Sequence, residues 1–424
     1  MTNPRHSNAN PVGRWLSAGA VALILLAFFA QGRPQSRVFS SLTEIRPPVA
    51  QGAREPALFA GTDGALRMSW VEPVGKAFAV KTATRSAHGW NRPKTAVRSN
   101  DLFVNWADFP SVAAFDDGTL AVHWLRKNGP SSYDYDVNIA LSSDVGRSWG
   151  TAIVPHRDGM QRQHGFATLL PLADNRLIVL WLDGRAYDEN AADTFTNASQ
   201  LRTSTLSADG KLSDDVLLDV RTCTCCQTSA VVTGSGIVLV AYRDRTAGEI
   251  RDISVVRLQD GTWSQPATVH HDGWEISGCP VNGPAIDAHG KFSVVAWFTA
   301  AQDIPAVKLA FSENDGATFA PALVIDTDTA RGRVDVVQLG DGSALVSWVS
   351  ESKGGESLVV CRAFPKTGCS KSQVITRNDA GGLINFPRMV AVGDSIFIAW
   401  TQPLPKQSSA PEFSTTIRMV EARF

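Results

Sequence analysis

Three cysteines stand within four residues at positions 221–229, which read RTCTCCQTS, in a chain that has only six cysteines. Cys223, Cys225 and Cys226 allow three kinds of chemistry. They can form disulfides in an oxidising compartment, bind a soft metal ion as thiolates, or supply a reactive thiol. The choice depends on where the chain resides and on which residues the fold brings next to the run.

A second stretch, HHDGWEISGC at positions 270–279, holds another cysteine beside two histidines. Thiolates combined with imidazole suit Cu(I) or Zn(II), although Cys-x-Cys-Cys is not a zinc-finger spacing. The metal hypothesis therefore names six ligands: Cys223, Cys225, Cys226, Cys279, His270 and His271.

Disulfides are the alternative for the same cysteines. Cys279 would pair with one of the three clustered thiols, and the other two would pair with each other. Cys361 and Cys369 flank a predicted hairpin turn and are expected to form a separate disulfide. A reactive thiol is the third hypothesis, since neighbouring arginines can lower a thiol pKa.

The N-terminus indicates an extracytoplasmic protein, periplasmic or secreted. Basic residues precede the apolar run LSAGAVALILLAFFA at positions 16–30, which is typical of a secretion signal and short for a membrane span. Cleavage after Ala30 would place Phe28 at the −3 position, which is unfavourable, so an uncleaved anchor is the alternative. We expect positions 1–30 to be this signal or anchor, and positions 31–49 to be a tether that can add a closing strand.

The elements that must position these side chains follow from a repeat. One pattern occurs seven times: a turn with Gly or Asp, then an alternating apolar strand that ends in an aromatic residue. The aromatic ends are Trp70, Trp124, Trp181, Tyr242, Trp297, Trp348 and Trp400. A unit of 51 to 61 residues fits four short strands, which make one blade of a β-propeller.

We therefore predict an all-β, seven-bladed β-propeller over positions 50–424, with six blades as the alternative if one hairpin is an insertion. The last repeat shows only three strands, and the N-terminal stretch SRVFSSLTEI can supply the fourth.

Two turns carry a more specific motif. Positions 142–149 read SSDVGRSW, and positions 312–319 read SENDGATF. Both resemble the Asp-box, Ser-x-Asp-x-Gly-x-Thr-Trp, of the sialidase (neuraminidase) superfamily. In this turn the Asp accepts hydrogen bonds from amides, and the Gly takes a positive φ. The resemblance implies a propeller whose ligand site lies on the face opposite these turns.

The same resemblance implies an arginine cluster, a tyrosine–glutamate nucleophile pair and an acidic residue. Arg54 stands in REP, where the family has Arg-Ile-Pro. No tyrosine follows Tyr242, although the family's nucleophile lies late in the chain. The sialidase positions are therefore only partly filled.

Polar residues concentrate in the loops that would open on the ligand face, where function is usually found. Arginine forks bind carboxylates and similar anions. We predict a ligand-binding set on this face: Arg54, Arg243, Arg245, Arg251, Arg333 and Trp274. If the site is catalytic, its candidate carboxylates are Glu249, Asp252 and Asp272.

Three functions remain open. The first is an exported sialidase-like propeller that binds a small molecule or glycan, preferably anionic, without catalysis. The second is a sialidase-related glycoside hydrolase with a non-standard active site. The third is a periplasmic Cys/His metal-binding or thiol-redox protein. The formal net charge of −1 argues against nucleic acid as a partner, and membrane contact is expected only through the N-terminal anchor.

Overall fold

The computed structural model describes residues 37–188, 190–191, 194–379, 381–404 and 415–424. The predicted signal or anchor at positions 1–30, and the first part of the tether, lie outside the described residues. Among the helices of the described part, none is both long enough and apolar enough to span a bilayer.

Seven antiparallel sheets follow one another along the chain and form the seven blades that the repeat predicted. Blade 1 contains β2 (Arg54–Ala60), β3 (Leu66–Val74), β4 (Ala77–Ser86), β5 (Gly89–Trp90) and β6 (Lys94–Ser99). Blade 2 contains β7 (Val112–Ala114), β8 (Leu120–Lys127) and β9 (Tyr135–Ser142). Blade 3 contains β10 (His164–Leu172), β11 (Arg176–Asp183), β12 (Ser199–Ser207) and β13 (Val216–Thr222).

The remaining blades have the same order. Blade 4 contains β14 (Ser229–Val232), β15 (Val238–Arg243), β16 (Ile253–Gln259), β17 (Thr262–Trp263) and β18 (Ala267–Thr268). Blade 5 contains β19 (Ala285–His289), β20 (Phe292–Thr299), β21 (Ala306–Ser312) and β22 (Leu323–Thr327), with a short 3₁₀ turn at Ala301–Asp303. Blade 6 contains β23 (Ala330–Gln338), β24 (Ala344–Ser352), β25 (Gly355–Phe364) and β26 (Gly368–Asn378). Blade 7 contains β27 (Arg388–Val392), β28 (Ser395–Pro403) and β29 (Thr415–Arg423), and is completed by β1 (Ser41–Ile45).

The core lies between neighbouring blades, because both faces of each sheet are apolar. Successive residues of β20 show this clearly. Val294 and Ala296 pack in the cluster shared with blade 6, whereas Val295 and Trp297 pack in the cluster shared with blade 4. A strand alternates its side chains between two faces, so a run of apolar residues buries one row against each neighbour. A single blade could not bury both rows.

The repeated tryptophans are buried, and five of them donate their indole N–H to a side chain. Trp70, Trp181 and Trp400 each donate to the side chain two residues further on, at distances of 2.7 to 3.0 Å. The partners are Glu72, Asp183 and Gln402. Trp297 and Trp348 instead donate, both at 2.7 Å, to Asp272 and Asp326, which precede them in the chain. A buried N–H needs such an acceptor, and this explains several acidic residues at the strand ends.

The ring is closed by pairing the N-terminal strand β1 with the C-terminal strand β29. The two strands are antiparallel, and Ser41 lies opposite Arg423. Just before β1, Phe39 is 1% exposed and packs in the core of blades 6 and 7. The closing strand that the sequence suggested therefore occupies the outer edge of blade 7.

The turn at positions 142–149 has the hydrogen bonds that its residue types predicted. Asp144 accepts from the Ser148 backbone at 2.9 Å and from the Ser148 hydroxyl at 2.7 Å. Ser142 accepts from the Gly146 amide at 2.8 Å, and Gly146 has a φ of 78°. The turn joins the third strand of blade 2 to the chain beyond it, on the side away from the inter-blade loops.

Candidate functional site

One face of the propeller carries both the loops that lead into the blades and the loops between second and third strands, because neighbouring strands run antiparallel. We call it the loop face and the opposite side the turn face. The sequence-predicted residues of blades 4 and 5 lie in these loops or at the adjoining strand ends. Side chains from the two kinds of loop can therefore meet above each blade.

Three thiols converge in the loop that leads into blade 4. The Cys223 sulfur lies 3.8 Å from the Cys225 sulfur and 3.5 Å from the Cys226 sulfur. Cys223 and Cys226 are buried, Cys225 is half-buried, and all three are reduced. A disulfide requires about 2.05 Å. By contrast, 2.3 Å Zn–S bonds in a tetrahedron place the sulfurs about 3.8 Å apart. The spacing therefore resembles that of thiolates around a metal ion.

The thiols of this cluster differ in the direction of their pKa shifts. The pKa of Cys223 is lowered well below its ordinary value, because the Cys225 and Cys226 thiols donate to it and the Arg251 guanidinium lies 3.3 Å away. Hydrogen bonds from Cys225 and Thr224 lower the pKa of the exposed Cys279 to about 6. The pKa of Cys226 is raised, chiefly by burial. Cys223 and Cys279 are thus the two thiols of the group that lose a proton most readily.

The two predicted histidine ligands have surroundings other than the thiol cluster. His270 Nε2 is 3.6 Å from Asp272, and the imidazole ring lies 6.1 Å from the Trp297 ring. His271 is exposed. Among the described residues, the group of potential ligands at this place consists of the three thiols, whose sulfurs lie within 4.8 Å of one another. The six predicted ligands are therefore not gathered at one point.

Glu249 is held by arginines. Its carboxylate accepts from Arg245 at 2.8 Å, from Arg251 at 2.7 Å and from Arg221 at 3.2 Å. Partial burial acts to raise its pKa, but these arginines outweigh it and bring the pKa to about 2. Glu249 is therefore a carboxylate at neutral pH and has no proton to give as a general acid.

Four other predicted site residues have structural partners on the loop face. Arg243 is 2% exposed and donates to the carbonyls of Asn282, Arg251 and Phe298 at 2.6 to 2.9 Å. It also lies 4.9 Å from the Trp274 ring. Trp274 is buried, and its amide donates to Asp252 at 3.1 Å. These contacts of Arg243, Trp274 and Asp252 fix the loop into blade 5; the ligand-binding and catalytic roles that the sequence suggested stay predictions.

Asp272 belongs to the same group, since it accepts from Trp297 at 2.7 Å and from Lys308 at 2.5 Å. Arg333 is buried and donates to both oxygens of Glu356 at 2.9 Å. Arg54 lies 5.4 Å from the Phe78 ring. Cys361 and Cys369 are joined in the structure, with Cα atoms 5.8 Å apart.

A central cavity of about 550 Å³ is lined by carboxylates that were not among the site residues predicted from the sequence. The first strands of the seven blades line it, together with Asp108, Asp287, Asp335 and Arg388. Each carboxylate accepts a backbone amide of the following blade, as Asp108 does from Phe166 at 2.7 Å. Burial raises the pKa of Asp108 and of Asp287 to about 7. Asp108 lies in the loop into blade 2, and Asp287 and Asp335 lie singly in apolar strands, so no sequence motif connects the three.

This burial predicts a pH-dependent stability. The unfolded Asp108 loses its proton near pH 4, whereas the folded protein retains it until about pH 7. Between these values the unfolded state binds fewer protons, so stability falls as pH rises, by up to about 1.4 kcal/mol per pH unit. Asp108→Asn keeps the acceptor for Phe166 and cannot ionise. We expect it to be more stable than the wild type at about pH 7.5 and similar at about pH 4.5 in urea unfolding.

Asp144→Asn is the control for this experiment. Hydrogen bonds from Ser148 hold the Asp144 pKa at about 2, so its stabilising effect is lost only as pH falls below the tested range. A pH-independent difference between Asp108→Asn and the wild type would contradict the buried, protonated state of Asp108.

A second polar cluster lies where blades 2 and 3 meet on the loop face. His156 and His164 stack with ring centroids 3.7 Å apart and planes at 5°. Asp136, Asp158 and Asp183 surround them. His156 and Asp158 lie in the loop into blade 3 and His164 begins β10, whereas Asp136 comes from β9 and Asp183 from the end of β11. No spacing motif connects these residues, so the sequence did not reveal the cluster.

Exposed aromatic side chains lie in the loops of the same two blades. Trp106 lies in the loop into blade 2, Tyr133 in the second-to-third-strand loop of blade 2, and Tyr187 and Phe195 in the corresponding loop of blade 3. Their exposed fractions run from 39% to 66%. Apart from these four, the exposed Phe, Tyr and Trp side chains of the described chain are Phe292 and Phe424. Blades 2 and 3 thus present an aromatic surface on the loop face.

No protein-family model matches the chain, and no curated protein matches it in sequence. Solved structures resemble it in fold. A protein of unknown function from Dyadobacter fermentans aligns over 91% of this chain and 99% of its own, with 12% identity and a TM-score of 0.51. Polysaccharide lyase Uly1 aligns over 87% and 90%, with 10% identity and a TM-score of 0.51.

A mutant of the sialidase NanB from Streptococcus pneumoniae aligns over 92% of this chain and 71% of its own, with 13% identity and a TM-score of 0.48. A sialidase thus stands among the structural neighbours. At these identities the similarity concerns the fold alone.

Proposed function

We propose that this protein is an exported propeller that binds a glycan on the loop face of blades 2 and 3. The observation that carries the proposal is the group of exposed aromatic rings at Trp106, Tyr133, Tyr187 and Phe195. Aromatic rings in contact with water offer flat apolar surfaces with little conformational freedom to lose, and binding sites use them as anchors. Sugar rings present C–H faces that stack on such surfaces.

An anionic glycan is the preferred ligand. Arg162 lies in the loop into blade 3 and is half-buried there. A guanidinium forms paired hydrogen bonds with a carboxylate, so Arg162 would favour an acidic sugar. A glycan also agrees with the name of the structural neighbour Uly1, a polysaccharide lyase.

The contacts of the three candidate catalytic carboxylates favour ligand binding over hydrolysis. Glu249 is clamped by arginines, while Asp252 and Asp272 accept hydrogen bonds that fix loops and a tryptophan. A retaining or inverting glycosidase needs two carboxyl groups free to exchange protons or attack the sugar. The contacts of these three side chains therefore support binding without catalysis at this place.

The test is binding to soluble polysaccharides, measured by calorimetry or by retardation in native gels. We expect a polyuronate to bind more tightly than a neutral glucan. Tyr133→Ala and Tyr187→Ala should each weaken binding at least about fivefold, since anchor residues contribute more than about 1 kcal/mol. Phe292→Ala is the matched control, because this ring is 39% exposed but lies at a turn on the opposite face. Equal losses in all three variants, or no binding by the wild type, would contradict the proposal.

A second candidate function is soft-metal binding by the thiols in the loop into blade 4. The observation in its favour is the sulfur spacing of 3.5 and 3.8 Å, with an arginine beside Cys223. Such a site would take Cu(I) or Zn(II), with Cys279 as a further thiolate. We expect the purified protein to contain one of these metals and to lose it in Cys223→Ser and Cys226→Ser. Protein that contains neither metal nor reactive thiols before reduction would instead support disulfides.

A further inference from the structure

The cluster between blades 2 and 3 has two buried imidazole nitrogens that face one carboxylate oxygen. His156 Nε2 lies 3.6 Å from Asp136 Oδ1, and His164 Nδ1 lies 3.4 Å from the same oxygen. His156 is 4% exposed and His164 is 0% exposed. Neither nitrogen has a hydrogen-bond partner among the described residues. Buried polar atoms are rarely left unsatisfied, so this arrangement requires an explanation.

The hydrogen bond on the far side of His164 fixes its tautomer. His164 Nε2 lies 3.1 Å from Asp158 Oδ2, and a carboxylate can only accept, so Nε2 carries the proton. In the neutral ring, Nδ1 then presents a lone pair to the Asp136 carboxylate. Two acceptors that face each other need a positive charge between them. A histidine that donates one N–H to a carboxylate and directs its other nitrogen elsewhere is typical of metal ligation.

The charges around the histidines also favour a bound cation. Asp158 and Asp183 lie behind His164, and Arg185 pairs with both, at 3.0 Å and 2.7 Å. Asp215 pairs with Arg185 at 2.7 Å and with Arg202 at 3.1 Å. With Asp136, four carboxylates face two guanidiniums, which leaves two negative charges when the histidines are neutral. A divalent cation would balance this excess.

We propose that Asp136, His156 and His164 bind a first-row divalent transition-metal ion such as Zn²⁺ on the loop face. One carboxylate and two imidazoles form a donor set that suits such ions. Ligands about 2.1 Å from a metal in a tetrahedron lie about 3.4 Å apart, close to the 3.4 and 3.6 Å measured here. Because the imidazole lone pairs lie in the ring planes, each ring must tilt from the parallel stack toward the ion.

Three protein ligands leave one coordination position for water or an oxygen of a ligand. The Asp136 side chain is 23% exposed, whereas those of the histidines are almost completely buried. The ion therefore reaches solvent on the side of Asp136. The exposed aromatic rings lie on the loops of these same two blades, although the metal site does not depend on glycan binding.

The experiment uses purified full-length protein that has been treated with a chelator and then titrated with Co²⁺ and with Zn²⁺. Co²⁺ held by nitrogen and oxygen gives weak visible bands, whereas thiolate ligation adds intense near-ultraviolet charge-transfer bands. The two candidate sites can thus be observed separately in the same protein. We expect the wild type to bind one Co²⁺ ion with visible bands only, displaceable by Zn²⁺, in addition to any thiolate-bound ion.

Asp136→Asn keeps the shape of the side chain and removes its charge. We expect at least about 100-fold weaker binding at the nitrogen–oxygen site, with the thiolate bands unchanged. Asp158→Asn removes the negative charge of the acceptor of His164 Nε2, and it should weaken binding about 10- to 100-fold while one ion still binds at saturation. His271→Gln, an exposed histidine in the loop into blade 5, is the control and should bind as the wild type does.

A doubly protonated His164 is the rival explanation of the geometry. It predicts that the wild type binds no ion outside the thiol cluster, and that result would overturn the proposal. Visible bands of equal intensity and affinity in wild type and Asp136→Asn would overturn it as well. Because Asp136 is partly exposed, this variant should fold, and circular dichroism checks that it does.

Discussion

Arg243→Met is expected to lower the free energy of unfolding by about 3–5 kcal/mol, because it leaves three buried carbonyls without a donor. The Arg243 guanidinium is 2% exposed and donates to the carbonyls of Asn282, Arg251 and Phe298. These groups belong to three different segments of blades 4 and 5. The methionine side chain is similar in length but has no donor. Urea unfolding monitored by tryptophan fluorescence measures the loss.

Arg245→Met is the matched control, since Arg245 lies two positions along the chain and pairs with Glu249. Because Arg251 and Arg221 still pair with Glu249 in this variant, it should be clearly less destabilising than Arg243→Met. A ligand-binding role for Arg243, which the sequence suggested, makes the opposite prediction. Under that role Arg243→Met would retain its stability and lose ligand affinity.

Phe39→Ala is expected to destabilise the protein by about 3–5 kcal/mol, as is usual when a buried phenylalanine is truncated. Phe39 packs in the cluster of blades 6 and 7 with Leu345, Ile398 and Trp400. It precedes the strand that closes the ring, so the substitution should also loosen the pairing of β1 with β29. Thermal unfolding and hydrogen exchange of residues 41–45 report the two effects.

Phe424→Ala provides the comparison. The two rings are in contact, with centroids 5.6 Å apart, but Phe424 is 48% exposed. Its loss should cost clearly less than that of Phe39. If both variants unfold at the same denaturant concentration as the wild type, the segment before β1 does not contribute to ring closure.

The fold could be predicted because it is encoded in repeated local patterns. Each repeat has apolar residues at alternate positions and ends in an aromatic residue, and each supplies one hairpin of the structure. The missing strand of the last repeat indicated that the N-terminal segment completes blade 7. Burial of Trp70, Trp181, Trp297 and Trp400 explains why the pattern is so regular: each fills the layer between two sheets.

The candidate site was less predictable, because residue type does not reveal a side chain's partner. Arg243 and Asp252 lie on the predicted face, but their partners are backbone carbonyls and amides, which every residue possesses. Asp272 is of a residue type that can act as a catalytic acid, and its carboxylate accepts a hydrogen bond from Trp297. The convergence of Cys223, Cys225 and Cys226 was visible in the sequence because the three are neighbours in the chain.

Residues that converge from distant parts of the chain left no such signal. Asp136 lies in the third strand of blade 2, and His156 and His164 lie at the start of blade 3. Asp108 reaches Phe166 across the interface of the same two blades. These contacts depend on how neighbouring sheets are rotated around the central axis, and a single blade's sequence does not contain that rotation.

Closure of the ring also fixes the order in which the molecule can be completed during synthesis. Ser40 bonds to Arg423 across 383 positions of the chain. Until the final strand has left the ribosome, blade 7 has no outer edge and the first blade has no finished neighbour. Contacts so distant in sequence form slowly, and open strand edges promote aggregation. A chain of this design therefore needs to be kept from premature association until β29 has been made.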